Sequence, residues 1–518
     1  MAIEREPSRL MTFAEQIARV ARRTPDTIAL KFGKATRTYR ELDQRVAQLA
    51  NILIARGLKP GDRVAVLMLN GIETIEAYLA VLRTGAICVP LNFRLVASEV
   101  SDIVQDCEVR ILICDDATFA VASLCKAPQL LLAGAGGNAS DCERIEDIIQ
   151  ASSPICANRV VSELDPAFLM YTSGTTGRPK GALLSHLNLL VNTLNMLSAL
   201  EIGPDDRVWL AASPLFHIAG LSGLFPFLYS GGTSIVLPSG QFDANAVVDL
   251  LEREQVTSCY FVPTQWQAVC EAATKQPRTY ALQRVTWGAS IALPSVLNAI
   301  AETFPGVRMY NVFGQTEMSP ITTVCRADLW PEKHGSVGRS VPTVEVRVVD
   351  DSMNDVPKGE IGEIVYRGPT TFLGYWNRPE ADAEAFAGGW FHSGDMVRED
   401  EDGFLFIADR KKDMIISGGE NIYPAELEAV IDVHPAVLEV AVIGVPHSKW
   451  VETPIAIVVL KHAGAADEAA IIAWCKDRLA SYKKPSQVHF IEALPRNASG
   501  KVVKSALREE FSSLSASV

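Results

Sequence analysis

The sequence lacks the features that mark several broad classes of protein. Its ten cysteines include no Cys-x-x-Cys pair, which argues against a structural zinc site and fits a reducing compartment. Basic residues are in the minority, and the net charge of −13 disfavours a general nucleic-acid-binding protein. The first residues, MAIERE, lack the apolar segment of a signal peptide, and the last four, SASV, match neither a peroxisomal nor a lipidation signal. We therefore expect a cytoplasmic protein.

One long apolar segment raises the question of a membrane span. Residues 208–242 contain no Asp, Glu, Lys or Arg, and their length would allow a transmembrane helix. Prolines and glycines interrupt the segment repeatedly, which predicts strand, loop, helix, turn and strand instead. We expect buried core that flanks a ligand pocket, and no transmembrane segment.

The length and the periodicity predict an α/β protein with more than one domain. A chain of 518 residues is too long for a single core. Strand-like segments at 63–69, 87–90 and 110–114 alternate with helical patterns such as 71–84, which predicts layered α/β subdomains with a largely parallel sheet. Residues 133–159 are small and polar and predict a loose connection.

The composition changes near residue 340. Strand patterns at 344–349, 362–368 and 403–408 predict a β-rich module. The charged run DRKKD at 409–413 precedes an amphipathic helix at 425–433, after which strands and helices alternate again. We predict an N-terminal domain of residues 1–409, a hinge at 410–413 and a small α+β C-terminal domain of residues 414–518, although a charged run is also typical of a solvated turn.

The segment YTSGTTGRPKG at 171–181 is rich in groups that bind anions. It follows a predicted buried strand at 167–171 and combines four hydroxyl side chains, three glycines and two cations. Glycines allow close approach of the backbone, and successive N–H groups form anion-binding nests. No Gly-Lys-Ser/Thr triplet opens a helix here, so this is not the P-loop of common NTPases. A phosphate-bearing ligand is the best reading, and a polar surface turn is the alternative.

This loop resembles the phosphate loop of the adenylate-forming superfamily, which contains acyl-CoA synthetases, adenylation domains and luciferases. Four more segments resemble that superfamily in the same order, namely NVFGQTE at 311–317, HSGD at 392–395, the region 409–421 and PRNASGK at 495–501. Together they span most of the chain. The resemblance implies a large N-terminal domain that binds ATP and the acid, and a small mobile C-terminal domain.

The resemblance assigns residues to the nucleotide. Those assigned to the phosphates are Thr172, Ser173, Gly174, Thr175, Thr176 and Lys180, and those assigned to the adenosine part are Gly288, Ala289, Ser290, Phe313, Gly314, Asp395 and Arg410. Phe313 would stack on adenine, where the family usually has Tyr. Asp395 and Arg410 would bind the ribose. Taken singly, residues 392–395 are a common turn, and Glu317 is more typical of a surface carboxylate.

It also assigns residues to catalysis and to CoA. The catalytic set is His217, Thr316, Glu317, Lys412, Gly419 and Lys501, and the set near CoA is Trp450, Tyr482 and Lys484. In the family, Thr316 would contact the α-phosphate, Glu317 would hold Mg²⁺ and Lys501 would neutralise charge during adenylation. Lys412 would be the pivot of the small domain, and Gly419 would line the pantetheine tunnel.

We therefore predict an AMP-forming carboxylate–CoA ligase that uses ATP, Mg²⁺ and CoA through an acyl-adenylate. Small residues at 219 and 220 beside His217 would leave room for an extended tail, which favours a medium- or long-chain fatty acid. Trp287 would either close the acid pocket or pack in the core. Aromatic or alicyclic acids, a carrier protein in place of CoA, a luciferase-like oxidation and a non-catalytic adenylate-binding protein are the alternatives. A homodimer is left open.

Overall fold

The structure is a computed structural model. It describes residues 11–134, 142–156, 159–172, 179–275, 278–290, 292–411, 413–417, 420–447, 450–476, 478–479, 483–496 and 502–511. The predicted site residues Ser173, Gly174, Thr175, Thr176, Lys412, Gly419, Tyr482 and Lys501 lie outside these ranges.

Helices are spread along the whole described chain. They are α1 (Phe13–Arg23), α2 (Tyr39–Ala55), α3 (Ile72–Thr84), α4 (Ala97–Asp106), α5 (Phe119–Ala122), α6 (Ile145–Ile149), α7 (His186–Ala199), α8 (Ile218–Ser230), α9 (Ala244–Arg253), α10 (Pro263–Lys275), α11 (Pro294–Thr303), α12 (Pro379–Ala385), α13 (Pro424–Asp432), α14 (Glu468–Lys476) and α15 (Lys504–Phe511). Short 3₁₀ helices cover Thr316–Met318, Pro331–Lys333 and Ala387–Gly389.

The strands alternate with these helices in the first half and become more frequent after residue 308. They are β1 (Ile28–Phe32), β2 (Ala35–Thr38), β3 (Arg63–Leu67), β4 (Ile87–Pro90), β5 (Val109–Cys114), β6 (Leu130–Leu132), β7 (Glu143–Arg144), β8 (Pro166–Thr172), β9 (Lys180–Ser185), β10 (Val208–Ala211), β11 (Thr233–Val236), β12 (Ser258–Tyr260), β13 (Arg284–Trp287), β14 (Arg308–Gly314), β15 (Ile321–Arg326), β16 (Ser336–Ser340), β17 (Glu345–Val349), β18 (Ile361–Arg367), β19 (Gly374–Tyr375), β20 (Phe391–Glu399), β21 (Leu405–Arg410), β22 (Ile415–Ser417), β23 (Glu420–Ile422), β24 (Val437–His447), β25 (Val451–Leu460) and β26 (Gln487–Phe490).

Contacts divide the chain into two compact units. The first comprises Met1–Glu345 and Tyr366–Phe391, and the second comprises Val346–Val365 and His392–Val518. The segment 346–365 and most of β20 thus group with the C-terminal part. This grouping differs in position from the predicted hinge at 410–413, which stays a prediction.

The first unit contains two sheets. One has the order β16-β15-β14-β13-β12-β10-β11-β1-β2, and its strands from β14 to β1 are parallel. The other has the order β19-β9-β8-β4-β3-β5-β6-β7, with β8, β9 and β19 joined in antiparallel fashion. The alternation of parallel strands and helices confirms the predicted α/β layers, because parallel neighbours need crossover connections.

The apolar segment is buried core, as predicted. Residues 208–236 contain β10, α8 and β11, and α8 is capped by His217 at its N-terminus and by the left-handed Gly231 (φ 85°) at its C-terminus. Within the described residues, no helix combines the length and the apolarity that a bilayer span requires.

The described part of the segment 133–159 contains more regular structure than its composition indicates. Its described part contains β7 and α6, and Ile145 and Ile149 are both buried. The prediction of a loose connection is wrong there, because two apolar residues four apart suffice for one buried helical face but give only weak periodicity. Glu146 adds an ion pair with Arg45.

The second unit is the α+β part of the chain. Strands β17, β18, β20 and β21 neighbour one another in that order, and β20 and β21 are antiparallel. A further sheet of β23, β22, β25 and β24, with β26 beside β25, carries a hydrophobic cluster that includes Leu427 and Ile471 from α13 and α14. A separate cluster of the same sheet includes Leu507 from α15. The predicted β-rich module and small C-terminal α+β fold are confirmed in type.

Candidate active site

The ends of β8 and β9 hold the described residues of the phosphate loop. Thr172 and Lys180 are directly paired at the loop end of this antiparallel hairpin, and the Thr172 hydroxyl donates to the Lys180 carbonyl (3.4 Å). The connecting residues 173–178 lie outside the described ranges. Both ends of the loop are therefore fixed by strand pairing, which places the Lys180 side chain at its base.

A glycine forces the turn that presents Thr316 and Glu317. Gly314 has φ 155°, and a Cβ on it would lie 1.7 Å from the Pro320 carbonyl oxygen, so no other residue fits. The chain then forms the 3₁₀ helix Thr316–Met318, and the carbonyl of Glu317 accepts from the Phe372 N–H (2.8 Å). The Gln315 Nε2 atom is buried without a hydrogen-bond partner among the described residues, which leaves one donor available to a ligand.

Tyr375 links these two segments, and the sequence analysis missed it. Strand β19 pairs with β9, so Tyr375 lies opposite Ala182. Its hydroxyl donates to Glu317 Oε1 (2.9 Å), and the Lys180 ammonium lies 5.2 Å from its ring centroid. Burial first, and the neighbouring carboxylate second, raise the pKa of Tyr375 well above its ordinary value, so the phenol stays a donor. The only sequence signal is the glycine-aromatic-aromatic motif GYW at 374–376.

The predicted adenine turn follows β13. A Cβ on Gly288 would lie 2.4 Å from the Val312 carbonyl oxygen, and Ala289 has φ 66°, a conformation that costs a non-glycine residue about 1 kcal/mol or more. Ala289 and Ser290 are exposed, and Phe313 near the end of the adjacent strand β14 is half-buried. An exposed turn next to the strand that carries an aromatic side chain is compatible with a stacked base.

Tyr260 marks the same edge of the sheet. Strands β10, β12, β13 and β14 are parallel, so their carboxyl ends lie together, where open α/β sheets bind ligands. Tyr260 ends β12, and its hydroxyl lies 3.3 Å from the position that a Cβ on Gly288 would occupy. His217 follows β10 at this edge, and its Nδ1 accepts from the Ala219 N–H (3.2 Å), which caps α8. Tyr260 is not among the site residues predicted from the sequence.

The expectation that residues 219 and 220 leave room for a tail is wrong for Gly220. A Cβ there would lie 2.3 Å from the Pro214 carbonyl oxygen. The glycine is needed for the close crossing of the backbone, so its small size does not indicate open space.

Trp287 lies on the opposite face of the sheet from Tyr260. It is 2% exposed and belongs to the hydrophobic cluster that includes Leu297 of α11 and Trp266 of α10. The structure therefore agrees with core packing, the second of the two interpretations given above.

The second unit brings the two predicted ribose residues together. Asp395 on β20 and Arg410 on β21 are paired across the strands, with 2.6 Å between Asp395 Oδ1 and Arg410 Nε. Glu363 supports the turn before them, because it accepts from the Gly394 N–H (3.0 Å) and contacts His392 and Lys411. A nearly buried carboxylate beside a cation offers the acceptors that a diol needs.

The predicted CoA residues are only partly described. Lys484 is half-buried and forms no ion pair with a described acidic residue, whereas its neighbour Lys483 pairs with Glu426 (2.7 Å). Trp450 is 43% exposed and stacks on His447 at 6.4 Å between ring centroids. An available ammonium and an exposed indole are compatible with a nucleotide contact.

The fold and these motif residues define an adenylate-forming enzyme, and comparison with known proteins gives the family. Residues 17–376 match the AMP-binding enzyme family, and residues 426–501 match the AMP-binding enzyme C-terminal domain. The chain belongs to the AMP-binding enzyme family, and it is an AMP-forming acyl-CoA synthetase, as predicted. ATP and CoA are substrates of this family.

Similar proteins span nearly the full chain. A feruloyl-CoA synthase from Amycolatopsis sp is 40% identical (95% of this chain, 98% of the relative). An indoleacetate–CoA ligase from Aromatoleum aromaticum is 34% identical (96% and 98%), and a 2-succinylbenzoate–CoA ligase from Geobacillus kaustophilus is 37% identical (94% and 95%).

Solved structures agree in fold. ATP-bound MatB from Rhodopseudomonas palustris has a TM-score of 0.85 at 33% identity (96% of this chain, 99% of that chain). The anthranilate CoA ligase AuaEII with anthranoyl-AMP has a TM-score of 0.86 at 27% identity (98% and 99%). A Mycobacterium tuberculosis fatty acyl CoA synthetase has a TM-score of 0.77 at 32% identity (97% and 99%).

Proposed function

We propose that this acyl-CoA synthetase activates an aromatic carboxylic acid. The observation that carries the proposal is the position of Tyr260, which ends β12 and whose hydroxyl lies 3.3 Å from the position that a Cβ on Gly288 would occupy. A phenol ring at the carboxyl edge of the sheet suits a planar acid better than a flexible chain, because aromatic rings favour offset-stacked or edge-to-face contacts with one another. The aromatic acids in the names of three relatives support the same class.

The alternative is a medium- or long-chain fatty acid, which the sequence favours over an aromatic acid. The similarity to a fatty acyl CoA synthetase supports it. The packing of Gly220 against the Pro214 carbonyl removes Gly220 from the argument for an extended tail.

In the first half-reaction, an oxygen of the acid carboxylate attacks the α-phosphorus of ATP and pyrophosphate leaves. Lys180 would hold the phosphates from the base of the loop, together with the hydroxyls of Thr172, Ser173, Thr175 and Thr176. Thr316 would contact the α-phosphate, and Lys501 would offset the charge that develops. Phe313 and residues 288–290 would hold the adenine, while Asp395 and Arg410 would hold the ribose.

Mg²⁺ fits the Glu317 side chain. Oε1 accepts from Tyr375, and Oε2 has no hydrogen-bond partner among the described residues. In the described part of the chain, no cluster of three or more His, Cys, Asp or Glu side chains could hold a metal. One carboxylate is nevertheless the usual protein contribution to Mg²⁺ bound with substrate phosphates, where the ion neutralises phosphate charge.

In the second half-reaction, the CoA thiol attacks the acyl carbonyl and AMP leaves. We propose that the small domain rotates about Lys412 between the two steps, so that Gly419 takes the place of Lys501. Lys484, Tyr482 and Trp450 would contact the nucleotide end of CoA.

A panel of acids tests the acid class. Purified full-length enzyme is incubated with ATP, Mg²⁺ and CoA, and acyl-CoA and pyrophosphate are measured with benzoate, 4-hydroxycinnamate, ferulate, indole-3-acetate, 2-succinylbenzoate, octanoate and palmitate. We expect the highest kcat/KM with an aromatic acid. A higher kcat/KM with octanoate or palmitate would overturn the proposal in favour of a fatty acid.

A further inference from the structure

Lys180 and Glu317 reach the predicted phosphate site from different parts of the first unit. Lys180 begins β9, and Glu317 lies in the 3₁₀ helix after β14. The two are not in salt-bridge contact, and neither forms a salt bridge with another described residue. Opposite charges that lie in one region without pairing remain available to a common ligand.

Tyr375 contacts both of them. Its hydroxyl donates to Glu317 Oε1 at 2.9 Å, and its ring lies 5.2 Å from Lys180 Nζ. The hydrogen bond occupies one carboxylate oxygen and fixes the rotation of the carboxylate. The ring attracts the ammonium through its quadrupole and brings no opposite charge, so it orients Lys180 without forming an ion pair.

Tyr375 is itself held firmly. Its N–H donates to Asp382 Oδ1 (2.7 Å), and its ring packs edge-on against Phe372 at 4.8 Å between centroids. The next residue, Trp376, is partly buried and packs against a hydrophobic cluster of the first unit. This packing anchors β19 from its other face. The phenol therefore has little freedom to move away from Glu317.

We infer that Tyr375 is a positioning residue that sets Glu317 and Lys180 for one ligand, a polyphosphate with its divalent cation. The inference rests on the proposed roles of Glu317 and Lys180 in binding Mg²⁺ and ATP. In this inference the Tyr375 hydroxyl supports cation binding, because it orients Glu317. The Tyr375 ring supports phosphate binding, because it orients Lys180. These two contributions can be separated by substitution.

The test uses the full-length enzyme, Mn²⁺ as the metal probe and α,β-methylene-ATP as the nucleotide. Tyr375→Phe removes the hydroxyl and keeps the ring, and Tyr375→Leu removes both. Bound Mn²⁺ is measured by electron paramagnetic resonance in the presence of the nucleotide. Nucleotide binding is measured by calorimetry in EDTA.

We expect Tyr375→Phe to weaken Mn²⁺ binding about tenfold, the effect of losing a hydrogen bond to a charged group, and to leave nucleotide binding in EDTA unchanged. Tyr375→Leu should also weaken nucleotide binding in EDTA about threefold, the effect of a lost cation–π contact. When Lys180→Met is also present, Tyr375→Phe and Tyr375→Leu should bind the nucleotide in EDTA with the same affinity, because the ring acts through Lys180.

Tyr280→Phe is the matched control, because the Tyr280 hydroxyl is buried without a hydrogen-bond partner among the described residues and packs in another cluster. It should leave both affinities unchanged. Equal Mn²⁺ binding by the wild type and Tyr375→Phe would overturn the inference and leave the proposed function intact. A wild-type enzyme that binds no nucleotide with Mn²⁺ would overturn both. If Tyr375→Leu does not fold, Mn²⁺ binding by Tyr375→Phe, which keeps the packing of the ring, still tests the inference.

Discussion

Asp395 and Arg410 form an ion pair across β20 and β21, with 2.6 Å between Asp395 Oδ1 and Arg410 Nε. Only 4% of the Asp395 side chain is exposed, against 40% for Arg410. The arginine therefore shields the carboxylate and can also meet a ligand from the solvent side. This cross-strand pair joins two motifs that resemble the ribose-binding segments of the superfamily.

Removal of the Asp395 carboxylate should weaken nucleotide binding. Asp395→Ala removes an acceptor for the ribose and leaves Arg410 without its partner, so the KM for ATP should rise about 10- to 100-fold, as expected for a lost hydrogen bond to a charged group. Arg347→Ala, which breaks the exposed Arg347–Asp355 pair of the same unit, is the control and should leave KM unchanged. An unchanged KM in Asp395→Ala would contradict the ribose assignment.

Lys501 and Gly419 should affect opposite half-reactions. Lys501→Ala should cripple pyrophosphate release while thioester formation from preformed acyl-AMP continues. Gly419→Leu should slow thioester formation on the order of 100-fold, about 3 kcal/mol in barrier, and spare single-turnover adenylation. Lys461→Ala, a lysine that donates to the Pro435 carbonyl, should change neither rate. Equal losses in both steps for Lys501→Ala would refute its role.

Tyr260 and Trp287 should differ in effect because they lie on opposite faces of one sheet. Tyr260→Ala should shift kcat/KM toward bulkier acids, since it enlarges the proposed acid pocket. Trp287→Ala should lower the free energy of unfolding by about 3–5 kcal/mol and leave the order of acids unchanged. Acid profiles and thermal melts of both variants measure this. If Trp287→Ala changed the ranking of the acids by kcat/KM, Trp287 would line the acid pocket instead.

His186 should make the first unit sensitive to acid. It is fully buried, both ring nitrogens lack hydrogen-bond partners among the described residues, and burial lowers its pKa to about 4. Between the unfolded pKa near 6.5 and this value, the unfolded state binds more protons, so stability is lost as the pH falls. From pH 7.5 to 5 this loss is about 2 kcal/mol.

His186→Leu should remove that part of the pH dependence. Urea unfolding, followed by tryptophan fluorescence at pH 7.5 and pH 5, compares the two proteins. An identical loss of stability in the wild type and in His186→Leu would show that other groups cause the acid sensitivity.

The sequence is sufficient for the parts that depend on local patterns. The helix before the left-handed Gly85 (φ 79°) and the strand 87–90 were both predictable, because each depends on residues close in the chain. The closeness of Asp395 and Arg410 follows from the resemblance of residues 392–395 and 409–421 to the superfamily, because both residues are assigned to the ribose. The predicted strand 63–69 ends at Leu67, since the Leu69 N–H donates to Asp115 Oδ2 (2.7 Å) rather than to a neighbouring strand.

The contacts of Tyr375 could not be predicted in this way. Its partner Glu317 is 58 residues away in sequence, and its contact with Lys180 depends on the pairing of β19 with β9. Such long-range pairing is set by tertiary structure, so no local pattern reports it. Gly220 was misread for a related reason, because the Pro214 carbonyl that requires it is visible only in the folded chain.

The most direct test of the acyl-adenylate route is to measure the transfer of ¹⁸O from the acid to AMP. The enzyme is given ATP, Mg²⁺, CoA and the best aromatic acid of the panel, labelled with ¹⁸O in both carboxylate oxygens, and the AMP and phosphate products are analysed by mass spectrometry. If the acid attacks the α-phosphorus, one ¹⁸O is transferred to AMP for each acyl-CoA formed. Label in inorganic phosphate, or AMP without label while acyl-CoA accumulates, would contradict the acyl-adenylate route.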